Sequence, residues 1–498
     1  MKREQWASRT GFILAAVGSA IGLGNIWRFP YMAYENGGGA FLIPYFFAML
    51  SAGIPFMIME FGLGHKLRGS APKVFSKLSP RTEVLGWFQV MIAAVIACYY
   101  VAIIGWGISY FGFSFSQSWG ADANAFFFGE YLKLGDNSPS SLGSLQLHIV
   151  LPVLLAWCIT FFATFTGVRG GIERLGKIMM PLLFIMVVVL TVRVLLLPGA
   201  AEGLNWMFKP DFSALTNPKV WSAAYGQIFF TLSVGFAIML AYSSYLPEKS
   251  DINNNAFMTV FINCGFSLLA GVMIFAVLGY MAAQQGVALT EVVSSGVGLA
   301  FVTIPTAINL LPMPWLLGPM FFAALVVAGL SSHISIVEAI VSSAMDKLGW
   351  SRKKTASVMC GGGALLSLAF TTNGGLLLLD LVDYYINNVA LLSSCVVELV
   401  LVGWVLRKLP ELKSHINAVS EFTIGSWWDF CVRYLSLAML LVIVGSNLVA
   451  AVSEPYGGYA TVDQLLFGWG LLVVMLIISL LITSKSSFPT TATAAAEA

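Results

Sequence analysis

The chain has 498 residues, 58% of them hydrophobic and only 10% charged, with a mean hydropathy of +0.84. A soluble protein of this length cannot keep its surface wet with so few charges, so a soluble class is excluded and a polytopic membrane protein is implied. The formal net charge of +2 adds nothing further.

Charged residues at the N-terminus lead straight into a long apolar stretch, which reads as a retained span and not as a cleavable signal. A spanning helix needs about 20 apolar residues, and twelve candidates follow in chain order: 9–34, 39–63, 84–113, 147–167, 173–197, 219–246, 254–284, 315–346, 355–373, 377–406, 430–452 and 463–484. An even number puts both termini on one side. Of the 26 Lys and Arg, all but Arg28, Lys133, Arg193, Lys209 and Lys219 fall in segments on the N-terminal side. The positive-inside bias therefore predicts cytoplasmic termini, in a multi-pass protein of the plasma (inner) membrane. The basic stretch "GHKLRGSAPKVFSKLSPR", 64–81, predicts a short helix lying at the inner interface. The outer stretch 114–146 predicts a partly ordered cap, and the tail "SSFPTTATAAAEA", 486–498, a disordered end.

The six cysteines and four histidines are dispersed, without metal-ligand or disulfide spacing, and no Walker A, HExxH or GxSxG pattern occurs. No enzyme activity is expected.

The first span carries "GSAIGLGNIWRFP", 18–30, a run poorly suited to staying helical. In hydrocarbon a free backbone N–H or C=O costs several kcal/mol, so a helix breaks only where protein or a watery cavity satisfies those groups. The sixth span has a similar interruption, "TLSVGF" at 231–236, also at its midpoint. A lone glycine run is better read as close helix packing. Two breaks at matching depth, flanked by hydroxyl and amide side chains, point instead to an inverted-repeat transporter with its site at the bilayer centre. Asn25, Thr231 and Asn263 offer neutral oxygens to a hard cation, the first break frees the carbonyl of Ala20, and the half-helix that follows presents amides to an anion, with Gly22 and Gly24 allowing close approach.

The runs "KREQWASRTGFILAAVGSAIGLGNIWRFPYMAYENGGGAFLIPY", "AAYGQIFFTLSVGFA", "AGLSSHISI" and "RGGIERLGK" resemble the neurotransmitter:sodium symporter family, especially its bacterial LeuT-type amino-acid transporters. The similarity runs from Lys2 through the tenth span; beyond about residue 410 it is one of number and hydropathy. It implies an all-α LeuT fold of twelve transmembrane helices in a single transporter domain. Residues 1–198 and 199–409 would be the 5+5 inverted repeats, with helices 1 and 6 broken, and 410–498 the last two spans and tail.

By this resemblance sodium site 1 comprises Ala20, Asn25, Thr231 and Asn263, completed by a substrate carboxylate. Sodium site 2 comprises Gly18, Ile21, Ala328, Ser331 and Ser332. The substrate pocket comprises Ser19, Ala20, Gly22, Leu23, Gly24, Ile96, Tyr100, Phe230, Thr231, Ser233, Phe236, Ser332 and Ile336. Amine transporters of the family place an aspartate where Gly22 stands, so the substrate brings its own carboxylate. Leu23 leaves little room for a γ-amino acid, and a neutral, apolar α-amino acid is predicted. Arg28, Gln227 and Asp383 would form the outer gate, with Gln227 bridging the ion pair. Arg3, Trp6, Ser244, Tyr245, Glu338 and Asp346 would form the inner one.

Ser267 stands where bacterial members often carry glutamate, which implies a chloride site of Tyr45, Gln227, Thr231, Asn263 and Ser267. A charge about 5 Å from sodium is worth roughly 3 kcal/mol at an effective dielectric near 20; the alternative is an acid elsewhere, Glu60 or Glu338. Glu338 and His333 depart from the commoner family pattern. Glu338 is read as an inner-gate or proton-carrying group, and His333 as a packed polar residue. The expected function is sodium-coupled, chloride-dependent symport of an amino acid through alternating access. A proton-coupled carrier, a channel and a non-transporting sensor are the alternatives. Lipid and the amino acid are the expected partners, nucleic acid is not, and the oligomeric state, homodimer or otherwise, stays open.

Overall fold

The computed structural model describes residues 3–209, 211–293, 296–485 and 488. Apart from Phe488, the predicted disordered tail lies outside them. Helices form wherever apolar residues run on, and end or bend at glycine, proline and hydroxyl clusters that cannot hold the ladder together. In chain order they are α1 (Arg9–Ala20) and α2 (Gly24–Glu35), bent at 56° to each other, then α3 (Gly39–Leu67). The short α4 (Ala71–Leu78) precedes α5 (Pro80–Phe113), α6 (Leu147–Phe165) and α7 (Val168–Leu195). The second half begins with α8 (Pro218–Thr231), α9 (Ile238–Ser244), α10 (Ile252–Gln285) and α11 (Pro314–Leu348). It closes with α12 (Arg352–Ser367), α13 (Gly375–Val405), α14 (Leu409–Val419), α15 (Ser426–Gly458) and α16 (Thr461–Ser484). Among the described residues β pairing is limited to two isolated bridges.

Helical segments stand at all twelve expected positions. Nine described helices are long and apolar enough to cross a membrane, and the bent pair α1–α2 makes ten. The sixth position falls short because its break leaves pieces of 14 and 7 residues. The ninth falls short because α12 is 16 residues long, opens on Arg352–Lys354 and carries three consecutive glycines.

Packing ranks the helices by depth. Along α3, α5 and α11, 78% of the most apolar stretch is buried inside the protein, against 17% for α16, whose Leu465, Val473 and Leu480 face outward. The core is therefore α3, α5 and α11, with α1 packed against α7 and α11, and α9 against α3. A buried ion pair, Lys347 Nζ to Glu83 Oε1 at 2.6 Å, ties α11 to α5. The basic 64–81 stretch does form a short helix, and one face of α4, Ala71, Pro72, Val74 and Phe75, is buried against α5, where Gly86 lets the backbone of Pro72 approach. The 114–146 stretch is ordered, with Trp119 donating to Asn309 (2.9 Å) and Tyr131 to Ser109 (2.9 Å).

Candidate functional site

Both breaks lie side by side, and every polar group they expose has to find a partner. At the first, Ile21 is extended (φ −76°, ψ 100°) and ends the α1 ladder by donating to Val17. The Gly22 N–H then donates to Asn25 Oδ1 (2.9 Å) and the Leu23 N–H to the Tyr100 hydroxyl (3.0 Å). The Ser19 carbonyl accepts from the hydroxyls of Ser233 and Ser332, both at 3.1 Å. At the second break Ser233, Gly235 and Ala237 take positive φ of 55°, 79° and 73°, which destroys helical bonding between α8 and α9. The Gly235 N–H donates to Glu60 Oε1 (2.9 Å) and its carbonyl accepts from Ser394 (2.8 Å). A Cβ on Gly235 would meet the sulfur of Cys395 at 2.2 Å, so only glycine lets α13 approach this turn. Sequence reasoning noted Glu60 only as a spare charge and missed Ser394, because a distant partner of a backbone amide leaves no local signal.

Between the breaks lies a cavity of about 790 Å³. It is lined by Ser19, Ala20, Gly22, Leu23, Gly24, Ile96, Tyr100, Phe230, Thr231, Ser233, Phe236, Ser332 and Ile336, and it continues past Arg28 and Asp383 to Tyr456 and Tyr459. A Cβ on Gly22 would stand 2.7 Å from the Tyr100 hydroxyl and one on Gly24 2.6 Å from Phe230, so both glycines keep this wall open.

Beside the cavity Asn25 Nδ2, with two protons to give, faces three oxygens: Thr231 Oγ1 at 3.0 Å, Asn263 Oδ1 at 2.9 Å and Ser267 Oγ at 2.8 Å. A convergence of neutral oxygens beyond what one amide can serve is donor chemistry that suits a hard cation. Next to it the Tyr45 hydroxyl and both polar atoms of the Gln227 amide are buried with no hydrogen-bond partner, and Ser267 Oγ, which accepts from Asn25, donates within its own helix to Asn263 O at 3.3 Å. Gly18 and Ser331 line a separate small cavity of about 10 Å³, with Ser331 Oγ donating to the Ala328 carbonyl at 2.9 Å.

The two ends of the path differ; inner and outer here denote the end carrying the N-terminus and the opposite one. At the inner end Arg3 meets Asp346 at 2.9 Å, donates to Ser244 (2.9 Å) and Ser342 (3.3 Å), and lies over the ring of Tyr245. Burial works against the Arg3 charge, but Asp346 beside it more than offsets this and raises the guanidinium above its ordinary value. Asp346 also accepts from Lys73 (3.1 Å) and the Ser70 N–H (2.8 Å). Trp6 is buried and donates its indole N–H to Tyr242 O (2.9 Å). Tyr245 donates to Glu338 (2.7 Å), which Arg352 grips with both terminal nitrogens at 2.7 and 2.9 Å while its Nε holds Glu4 at 2.7 Å. The sequence reading missed Arg352, Glu4 and Lys73; Arg352 and Lys73 counted there only toward the inner basic bias.

At the outer end the expected contacts are not made in this conformation. Arg28 stacks on Phe230, 4.1 Å from the ring centroid, and Asp383 accepts from Asn387 at 2.7 Å. Among the described residues no ion pair joins Arg28 to Asp383, and Gln227, bonded to neither, does not bridge them. Arg28 and Asp383 both line the cavity. His333 is buried, with Thr160 at 2.8 Å on Nδ1 and the Ala97 carbonyl at 3.2 Å on Nε2, a packed polar residue outside the cavity lining. Among the described residues no cluster of three metal-ligating side chains occurs, and all six cysteines are free.

Two helices unwound at one level around a shared cavity, which extends toward one end and is sealed by ion pairs at the other, define a secondary transporter of the broken-helix class. A model of the sodium:neurotransmitter symporter family matches residues 3–125 and 120–488. An uncharacterized sodium-dependent transporter of Methanocaldococcus jannaschii is 43% identical over 97% of this chain and 98% of its own length. The sodium- and chloride-dependent taurine transporter of Rattus norvegicus is 31% identical over 94% of this chain and 82% of its own, and the human sodium- and chloride-dependent creatine transporter 1 is 33% identical over 90% and 77%. The chain belongs to the sodium:neurotransmitter symporter family. It is accordingly a multi-pass transporter of a sodium-dependent family and not an enzyme.

Proposed function

We propose that the protein is a sodium-coupled, chloride-dependent symporter of neutral, apolar α-amino acids, working by alternating access in the plasma membrane with both termini cytoplasmic. The single observation that carries the reading is the pair of matched breaks: backbone groups of α1–α2 and α8–α9 face one cavity from both sides. In this reading the substrate carboxylate sits over Gly22 and Gly24 beside the Tyr100 hydroxyl, and the ammonium group toward the Ser19 and Ala20 carbonyls. Ile96, Phe230, Phe236 and Ile336 enclose an apolar side chain, and Leu23 limits its length. Two of the three relatives named above are transporters of taurine and creatine, both zwitterions, so a site that takes one anionic and one cationic group has precedent among them; the α-amino acid preference rests on Leu23 and the apolar walls.

Sodium enters as co-substrate. The first site uses Ala20, Asn25, Thr231 and Asn263; the convergence of oxygens on Asn25 supports it. The second uses Gly18, Ile21, Ala328, Ser331 and Ser332. Chloride supplies the charge that Ser267 does not, and the buried Tyr45 O–H and Gln227 N–H are donors in search of an acceptor. Two sodium ions with one chloride carry one net charge, worth about 2.3 kcal/mol per 100 mV. Inward opening requires Arg3–Asp346 to part and Arg28 and Asp383 to close over the substrate, as the repeats 1–198 and 199–409 rock, with spans one, two, six and seven moving against three, four, eight and nine. Radiolabelled amino-acid uptake into proteoliposomes, with sodium and chloride each present or replaced, tests this. Uptake that ignores sodium, or binding without flux, refutes it.

A further inference from the structure

At the inner end, away from the central path, α14 folds back beside the start of α15. It is tied there to the end of α3 by Lys66–Glu411 and His65–His415. A cavity of about 480 Å³ opens between α14 and α15, walled by Lys413, Ser414, Asn417, Asp429 and Arg433. Most of its polar groups are already engaged. Lys413 pairs with Asp429, Glu411 is shared by Lys66 and Lys408, and Asn417 spends its amide on Ile424 in both directions. Arg433 is the exception. Among the described residues no carboxylate lies within ion-pair distance of its guanidinium, and its Nε is buried without an acceptor. A buried guanidinium N–H without an acceptor is costly, and the planar fork of arginine matches the paired oxygens of a phosphate.

The surroundings identify the source of that phosphate. Trp404 donates its indole N–H to the Arg433 carbonyl at 3.1 Å and packs edge-on against Tyr434, which in turn meets Phe430. All three rings are about half exposed on the outer surface of the helices. Amphipathic aromatic rings gather where hydrocarbon gives way to headgroups, so the cavity opens at headgroup level with an apolar shoulder beside it. Basic pockets between helices at this level hold phospholipid head groups.

We infer that the α14–α15 cavity binds the phosphate of an anionic phospholipid, with Arg433 as its fork and Trp404 and Tyr434 against the acyl chains. The full-length protein is purified in nanodiscs of mixed phosphatidylglycerol, phosphatidylethanolamine and phosphatidylcholine, and the retained lipid is read by native mass spectrometry. Phosphatidylglycerol is retained preferentially. Arg433→Gln lowers that retention about tenfold or more, and Arg81→Gln, at another exposed inner position, leaves it unchanged. Ser414→Glu, on an exposed helical position compatible with folding, abolishes retention by placing a carboxylate in the wall. Equal retention in wild type, Arg433→Gln and Ser414→Glu overturns the site, and displacement by inorganic phosphate overturns its assignment to lipid.

Discussion

The inner seal is the part of the transport cycle whose energy can be worked from the structure. Asp346 is bound by Arg3 at 2.9 Å, Lys73 at 3.1 Å and the Ser70 N–H at 2.8 Å, and its side chain is 13% exposed against 20% for Arg3. Asp346→Asn keeps the shape and one acceptor oxygen but removes the charge shared by two cations. Each pair is worth roughly 4 kcal/mol of bare attraction at an effective dielectric near 20. Hydration of the separated charges returns much of this, and a net loss of about 2 kcal/mol for the closed inner end remains. That corresponds to about a 30-fold shift toward the inward-open form. A cysteine at Ser335, buried below the seal where it receives the Tyr242 hydroxyl at 2.7 Å, reports the shift when the exposed Cys158 is first replaced by serine. A membrane-impermeant maleimide applied from the inner side should label position 335 about 30-fold faster in Asp346→Asn, and sodium should restore slow labelling only at higher concentration. Labelling within about twofold of wild type, with unchanged sodium dependence, refutes the reasoning and leaves Arg3–Asp346 a static surface pair worth about 0–1 kcal/mol.

Ser267→Glu should abolish the chloride requirement of uptake, since the carboxylate would stand beside Asn25, now 2.8 Å from Ser267 Oγ; full wild-type uptake in chloride-free buffer would remove the basis for an anion site. Gly22→Ala should weaken substrate binding about 10- to 100-fold without lowering the melting temperature, because its Cβ would lie 2.7 Å from the Tyr100 hydroxyl; scintillation-proximity binding reads it, and unchanged affinity rejects the proposed carboxylate seat. Burial first, then Lys66 and Arg68, hold His415 below the ordinary histidine value, so folding favours its neutral ring, which sits 2.9 Å from His65. Its contribution to stability is complete above about pH 6.5 and is lost as the pH falls. The melting temperature should drop on acidification, and less so in His415→Asn; parallel curves contradict this.

The breaks were legible because a membrane helix has so few reasons to carry glycine, serine and asparagine together at mid-depth. "GSAIGLGN" and "TLSVGF" mark the observed turns to within a residue or two. The residues that hold those turns open were less legible. Glu60 and Ser394 act on Gly235 from α3 and α13, and no periodicity links a carboxylate to a backbone amide 175 residues away. Arg352 shows the same limit at shorter range. It grips Glu338 from 14 residues on, across a turn whose direction the sequence does not encode. The packing of α4 was illegible for a different reason: an apolar stripe looks alike whether it meets lipid or protein, and Gly86, which lets Pro72 approach, lies on the partner helix.

The satisfaction of polar groups along the path bears on coupling. The charges of Arg3, Asp346, Glu338 and Arg352 at the inner seal are paired, while buried polar atoms without partners lie at both levels: Ser70 Oγ beside the seal, and Ser19 Oγ, the Tyr45 hydroxyl and both polar atoms of Gln227 around the central cavity. Each such group costs about 1–3 kcal/mol when left unpaired, and those around the cavity stand where a bound ion or substrate would satisfy them. In the proposed cycle a ligand drives the exchange of the Arg3, Asp346, Glu338 and Arg352 seal for an Arg28–Asp383 contact only if it is held more tightly once that contact forms. Coupling on this view is set by the difference in ligand contacts between the two states and not by the strength of any one ion pair. A variant that satisfies Gln227 internally, such as Ser267→Glu, should therefore bind substrate without chloride and also release the inner seal more readily at low sodium.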